Sequence, residues 1–338
     1  MIELTIYQQI LNLFDNDNED SFNSVAMEVF KYQSLSNTLY KQYLDLINCR
    51  PDSISHYRDI PLLPISLFKK EVIKSGNWNT EKVFKSSGTM QDGLRSQHHV
   101  KSIDWYNQLC KQTFIKAGFG FDNHEILGLL PSYIENGDSS LVHMVSCFQT
   151  AAKTKQPANY LYNFEELHER ITATLTDSSK KITLIGVTFA LLDFAETVRI
   201  DNERLEVIFT GGMKNRKQEL QHKQVCTALR KAFPKSTIRS EYGMTELLSQ
   251  AYSQDESIYK ASSTMRIVTK QLQDPFTNLN HGKTGILGIV DLANVDSCSF
   301  ILSQDLSIQH KSTAFEVVGR MDDSDVRGCN LLYQKDYF

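Results

Sequence analysis

The chain reads as an α/β protein, with a largely parallel sheet flanked by helices and a smaller antiparallel lobe after it. Three observations carry that reading. Between residues 103 and 241, apolar runs of strand length alternate with stretches of helical period, the pattern of strand–helix crossovers. From Thr264 onward, strand-like runs follow one another without long helices. At the boundary, Glu241-Tyr242-Gly243-Met244-Thr245-Glu246 follows an alternating run over 236–241 and leads into Leu247-Leu248-Ser249. These six residues are expected on a strand-to-helix turn, where open α/β sheets bind nucleotides.

Bulk properties bound the answer. At 338 residues the chain has room for a large core in one elaborated domain or two. With 41% hydrophobic and 22% charged residues, wholesale disorder is excluded. A formal net charge of −4 and a pI near 6.2 give no electrostatic reason to expect nucleic acid or an anionic membrane as partner. Cys49, Cys110, Cys147, Cys226, Cys298 and Cys329 show no Cys-x-x-Cys and no zinc spacing, which fits a reduced cytoplasmic protein. Met1-Ile2-Glu3-Leu4-Thr5 lacks a basic leader before an apolar stretch, so no signal peptide is expected. The most apolar run, 182–192, is interrupted by Thr183, Gly186 and Thr188 and closed by Asp193, well short of a membrane span.

In chain order, residues 21–49 carry Phe22, Val25, Val29, Leu39, Tyr43, Leu44 and Ile47 at helical spacing, which predicts helices lying on a larger body. Pro61 and Pro64 forbid a continuous helix over 60–69 and favour an extended crossing segment or a surface loop. Residues 82–100 read as a hairpin around Ser86-Ser87-Gly88-Thr89-Met90-Gln91-Asp92-Gly93, whose hydroxyls and backbone donors suit phosphate oxygens as well as a plain polar tip. It is not a Walker loop. The one Gly282-Lys283-Thr284 has Thr277 where that motif needs its first glycine. Helices are expected over 103–117, 139–151, 164–175, 189–198 and 215–233. Strands are expected over 125–130, at Tyr160, and over 182–186, 205–209 and 236–241. Asn163 with Glu166 three residues on marks a helix start. Thr210-Gly211-Gly212 ends one strand and is a second ligand-facing turn. The antiparallel strands are expected over 265–269, 285–292, 299–302, 307–310 and 315–318.

Within Tyr242 to Glu246, an aromatic face, a glycine, a hydroxyl and a carboxylate arrive together. They offer a stacking surface, a close backbone approach, a phosphate hydrogen bond and an oxygen ligand for a hard cation, which is equipment for a magnesium nucleotide. An ordinary turn before a capped helix fits the same six residues. Ile185, Val187 and Phe189 flank a strand end and suit an apolar tunnel or the core. His98, His99 and His143 have no partner pattern and read as surface or satisfied polar residues rather than acid–base groups.

Taken in order, Ser86-Ser87-Gly88-Thr89, Thr210-Gly211-Gly212, Tyr242-Gly243-Met244-Thr245-Glu246, Asp305 and Gly319-Arg320-Met321-Asp322-Asp323 resemble the motifs of the adenylate-forming, acyl-CoA synthetase-like superfamily. Residues 60–69, the 84–89 stretch and Val326-Arg327-Gly328-Cys329 resemble the acyl-protein synthetase (LuxE) family in particular. The resemblance implies the adenylate-forming large-domain fold over 60–338, with a β-rich lobe from about 262 and an N-terminal helical cap over 1–59. It also implies roles. Ser86, Ser87, Gly88 and Thr89 match the phosphate loop, Gly211 and Gly212 would lie against adenine, and Tyr242 would stack on it beside Gly243. Thr245 would touch the α-phosphate, Glu246 would hold Mg2+, Asp305 would accept the ribose hydroxyls, and Arg320 would contact ribose or phosphate. The implied activity is an acid–thiol ligase: ATP-dependent activation of a carboxylic acid, a fatty acid in this family, as acyl-adenylate, then transfer to a thiol of the enzyme or of an acyl-accepting protein.

The sequence departs from the family in two places. Met90-Gln91 replace a second threonine and a glycine of the loop, with Gly93 and Arg95 nearby to supply flexibility and charge. The chain stops at Phe338, with no stretch matching the small C-terminal lobe and its lysine, as in the short LuxE group. Cys329 beside Arg327 is the in-chain thiol whose thiolate a near cation would favour; a buried structural cysteine is the plainer alternative. Two rival functions stay open: a phenylacetate-type acyl-CoA ligase, and a non-catalytic acyl or nucleotide binder that orients a partner enzyme.

Overall fold

A computed structural model describes residues 2–86, 94–130, 138–211, 222–253 and 257–321. Ser87, Gly88, Thr89, Gly212 and Cys329 lie outside the described residues, as do Arg327, Gly93 and the rest of the 322–338 tail.

One 12-stranded mixed sheet organises the molecule. Its parallel half comprises β4 (His124–Leu129), β5 (Asn159–Tyr160), β6 (Lys181–Val187), β7 (Leu205–Thr210) and β8 (Thr237–Tyr242), in the spatial order β5-β4-β6-β7-β8. β4, β6 and β7 are buried along nearly their whole length, as expected for strands covered on both faces. The cover comes from α5 (Ser140–Ala151), α6 (Phe164–Asp177), α7 (Thr188–Thr197) and α8 (His222–Ala232). At the β6–α7 turn, a Cβ on Gly186 would meet Leu191 Cγ at 2.7 Å, so only glycine admits that close packing. Helix α4 (Ile103–Lys116) is capped by the Ser102 hydroxyl, which accepts the Trp105 N–H, and it packs beside α5.

The remaining strands do not stand apart. β9 (Ala251–Ser253) pairs antiparallel with β8, and β10 (Tyr259–Ala261), β14 (Ala314–Arg320), β13 (Phe300–Lys311), β12 (Thr284–Asp291) and β11 (Met265–Lys270) continue the same sheet. Two strands expected over 299–302 and 307–310 are one, β13. Its register with β12 slips between the Ile286↔Leu306 and Gly288↔Leu302 pairs, and this irregularity contains Ser303, Gln304 and Asp305. β1 (Leu63–Pro64) crosses in parallel against Ile301 and Leu302, so the expected extended crossing is these two residues, and Ile65–Lys69 form a short 3-10 helix after it. The hairpin is β2 (Lys82–Lys85) against β3 (Gln97–Val100).

The N-terminal helices α1 (Ile2–Asn12), α2 (Glu19–Ser36) and α3 (Thr38–Leu46) dock on the antiparallel side. Phe30 meets Phe300 edge-on at 5.6 Å and Tyr40 stacks on it at 5.9 Å. Gln33 donates to the carbonyls of Asn294 and Val295, both at 3.0 Å, and Asn37 to that of Ser297 at 2.8 Å. Buried Arg266 answers Asp17 and Glu19. No helix among the described residues is long and apolar enough to cross a membrane.

Candidate functional site

The site forms where the sheet changes from parallel to antiparallel, at the C-terminal end of β8. Glu241 and Tyr242 pair with Tyr252 and Ala251, so the chain turns back as β9 after the eight residues 243–250. The expected strand-to-helix turn is therefore corrected to strand–turn–strand. The physical reason is tertiary. Asp291, at the end of β12, accepts the backbone N–H groups of Leu248 and Ser249 at 3.0 Å each and the Ser249 hydroxyl at 2.6 Å. Asn294 accepts from the same Leu248 N–H and donates to the Glu246 carbonyl at 2.8 Å. Backbone groups that a helix would use are taken from outside.

Thr245 is held from a third direction. The Thr245 carbonyl can only accept, so His98 Nδ1 carries the proton at 2.9 Å, and Nε2 then accepts the Ser297 hydroxyl at 2.8 Å. Burial pushes the His98 imidazole down to about 4, which keeps it neutral in this role. Of the two settings left open for this histidine, surface or satisfied, His98 takes the second, and it is buried. His143 Nε2 meets Asn107 Oδ1 at 2.9 Å, and His99 Nδ1 meets Thr80 Oγ1 at 3.1 Å.

Glu246, 7% exposed, is bonded to the Ser96 side chain, and burial raises its carboxyl above the usual carboxylate range. Ser96 belongs to the hairpin root. Its N–H donates to Ser86 Oγ at 3.0 Å, and its carbonyl accepts the Ser86 N–H at 3.0 Å. Arg95 donates to the Ser86 carbonyl and, at 3.4 Å, to that of Lys85, so its charge is clasped at the base of the loop. The hairpin root and the β8 turn are thus joined through Ser86, Ser96 and Glu246.

Tyr242 donates to Asp305 Oδ2 at 2.7 Å, while Phe315 meets its ring edge-on at 5.5 Å and Tyr259 lies tilted at 5.8 Å. Asp305 is cross-strand from Arg320 on β14, whose Nε lies 4.0 Å from Asp305 Oδ1. The Arg320 side chain is 71% exposed, so this pair sits at the solvent margin and its attraction is weak. Burial raises the Asp305 carboxyl. Gly243 adjoins Tyr242 on the exposed side of the turn. At the end of β7, Gly211 takes a left-handed φ of 69° with open space where a Cβ would stand. The Thr188 hydroxyl fixes that turn by donating to the Gly211 carbonyl at 2.7 Å.

Glu241 was not singled out in the sequence. It is buried, accepts from the Thr210 hydroxyl, and is pushed up to about 7 by burial. A neighbouring carboxylate in Glu241-Tyr242 gives no sign of such a setting, because the second strand pairing and the Thr210 contact come from elsewhere in the chain. Asp291, Asn294 and Ser96 carry no local signal for the same reason. Ile185 and Val187 are buried in the core; Phe189, at the start of α7, is half-buried.

Ser86, Gly211, Tyr242, Gly243, Thr245, Glu246, Asp305 and Arg320 therefore come from four strand ends and the irregular middle of β13, around one sheet switch. That is the position at which a Tyr–Asp edge, a buried carboxylate and hairpin hydroxyls could face one polar ligand.

No family model matches the chain. It is 22% identical over 334 residues to the long-chain-fatty-acid–luciferin-component ligase of Vibrio harveyi, which covers 89% of this chain and 84% of that protein. Among solved structures it is similar to 2-hydroxyisobutyryl-CoA ligase in an open conformation with 2-HIB-AMP and CoA, at TM-score 0.68 and 12% identity over 90% of this chain and 75% of that one. The same ligase in its postadenylation state with 2-HIB-AMP gives TM-score 0.66 over 90% of this chain and 68% of that one. ATP-bound MatB from Rhodopseudomonas palustris gives TM-score 0.52 at 14% identity over 72% of this chain and 49% of that one. The chain therefore has the fold of the adenylate-forming ligases, and its sequence is similar to that of a ligase for long-chain fatty acids.

Proposed function

We propose that this protein is an acid–thiol ligase that activates a carboxylic acid with ATP as an acyl-adenylate and passes the acyl group to a thiol. The observation that carries the proposal is the joined arrangement of Tyr242–Asp305 on one side of the β8 turn and Glu246–Ser96–Ser86 on the other. In this reading the Tyr242 ring, fixed through its hydroxyl, presents a face to adenine beside Gly211, and Asp305 accepts the ribose hydroxyls. Arg320 reaches ribose or phosphate, and Ser86, with the loop that follows it, donates to the outgoing pyrophosphate. The Thr245 hydroxyl, on a backbone locked by His98, contacts the α-phosphate.

The residues present fit magnesium arriving with the nucleotide. Among the described residues no group of three His, Cys, Asp or Glu could hold a metal unaided. Magnesium is commonly bound by one or two carboxylates with substrate phosphates and waters, and Glu246 is a buried carboxyl whose ionised form a cation would stabilise. When bound, the ion supplies neutralisation of phosphate charge.

The acid is already ionised at neutral pH, so its oxygen attacks the α-phosphorus without a base while the bond to pyrophosphate breaks. Donors, rather than proton transfer, lower the barrier. A thiolate then attacks the acyl carbon and AMP leaves. The accepting thiol is Cys329 or that of a partner protein, which calls for a reducing, cytoplasmic setting. The similarity to the Vibrio harveyi ligase favours a fatty acid as substrate.

Pyrophosphate exchange into ATP across short, aromatic and long-chain acids tests the first half-reaction. A set of acids that gives no exchange would leave only a binder. Labelled acid plus ATP is expected to leave a hydroxylamine-labile acyl group on the protein, lost in Cys329→Ser with exchange retained. Transfer to CoA alone, unaffected by that substitution, would instead mark an acyl-CoA ligase.

A further inference from the structure

Away from the nucleotide-facing turn, α4 and α5 bring two cysteines together that stand far apart in sequence. Cys110 is fully buried on α4, and Cys147 on α5 is partly exposed. Their side chains lie close enough to interact with each other. Both sulfurs also approach the Asn107 carbonyl, at 3.4 Å for Cys110 and 3.9 Å for Cys147. Cys147 lines a surface groove of about 590 Å³ together with Asp104, Lys111, His143 and Ser146. A small solute can therefore reach one sulfur, and the other waits behind it.

We infer that Cys147 and Cys110 form a reversible dithiol–disulfide site, in which Cys147 attacks a small disulfide of the glutathione class entering the groove and Cys110 resolves the product. The Cys147 thiolate forms a bond to one sulfur of the small disulfide and the other sulfur leaves as a thiolate. Cys110 then gives its proton to a departing thiolate and attacks Cys147 Sγ, expelling the second small thiol. Two protein thiols are oxidised to one disulfide, and one small disulfide is reduced to two thiols, so no further oxidant is needed.

The thiols are unequal in the way such a sequence requires. The adjoining Cys110 side chain lowers Cys147 below the ordinary thiol range, with Lys111 adding to it. Burial raises Cys49, Cys110 and Cys226, and pushes Cys298 up to about 12. Cys147 is thus the one described cysteine whose surroundings favour the thiolate. The bond would staple α4 to α5 close to the hairpin, because the carbonyl of Asp138, just before α5, accepts the Lys85 N–H at 2.9 Å, and His143 packs on Phe84 at 5.6 Å.

The test treats the reduced full-length protein with oxidised glutathione and follows it by intact mass and non-reducing peptide mapping. Wild type is expected to yield a peptide linked through Cys110 and Cys147, reversed by dithiothreitol. Cys110→Ser is expected to stop at a glutathione adduct on Cys147, formed about tenfold faster than any adduct on Cys49. Cys147→Ser should leave Cys110 unmodified. The inference is overturned if wild type accumulates glutathione on other cysteines without the linked peptide, or if Cys110→Ser reacts at Cys147 no faster than at Cys49. Circular dichroism of both variants guards against loss of fold.

Discussion

The parallel half of the sheet and the turn after β8 are built by opposite means. In the parallel half, β4, β6 and β7 are short apolar runs whose helices follow in sequence, and each strand finds its neighbour by pattern and burial. The turn over 243–250 has little local periodicity. Its shape is imposed by Asp291, Asn294 and His98, residues from β12, the segment after it, and β3. The scaffold is thus redundant and tolerant, whereas the turn depends on a few buried polar groups.

Substitutions that separate chemistry from scaffold sharpen this contrast. The largest expected effect is at Glu246. Because its carboxyl is buried against Ser96 rather than open to solvent, truncation to alanine risks the local fold, and Glu246→Gln is the cleaner change. It should lower pyrophosphate exchange about 10³-fold, or about 4 kcal/mol, with no fall in melting temperature. Exchange at the wild-type rate would remove Glu246 from the metal role.

Next comes Asp291→Ala, which orphans the buried backbone N–H groups of Ser249 and Ala293 and leaves that of Leu248 to Asn294 alone. A stability loss of about 3–4 kcal/mol is expected in urea, with exchange activity falling alongside. A loss no larger than that of a surface alanine would show that the turn holds itself.

Glu241 gives a pH signature. Its folded pKa of about 7 lies above the ordinary 4.5, so the folded state binds this proton more tightly. Its favourable contribution is complete below pH 4.5 and is lost as pH rises through 7, a swing of about 3 kcal/mol. Glu241→Gln should therefore match wild type near pH 4.5 and exceed it in stability by about 2–3 kcal/mol at pH 8. Parallel stability–pH curves for the two proteins would contradict the buried carboxyl.

The smallest effect belongs to Tyr242→Phe, which keeps the ring but frees Asp305 of its hydroxyl partner. ATP affinity should weaken by about 1 kcal/mol, against 1–3 kcal/mol for Tyr242→Ala, where stacking is lost as well. Equal losses in the two variants would mean that the ring does not meet adenine.

What the sequence determined by itself was the alternating αβ architecture, the late change to antiparallel strands, the hairpin over 82–100 and the residues of the motifs. Strand and helix periods, caps and glycine turns are local properties and are written in adjacent residues. The tertiary structure alone decided that the antiparallel strands join one continuous sheet, that Glu246 is followed by a strand instead of a helix, and that Glu241 is a buried carboxyl. It also brought Ser96 to Glu246 and Cys110 to Cys147. Each of these rests on hydrogen bonds or burial between residues distant in the chain, and a single sequence carries no signal of which distant groups will meet once apolar packing has fixed the layers.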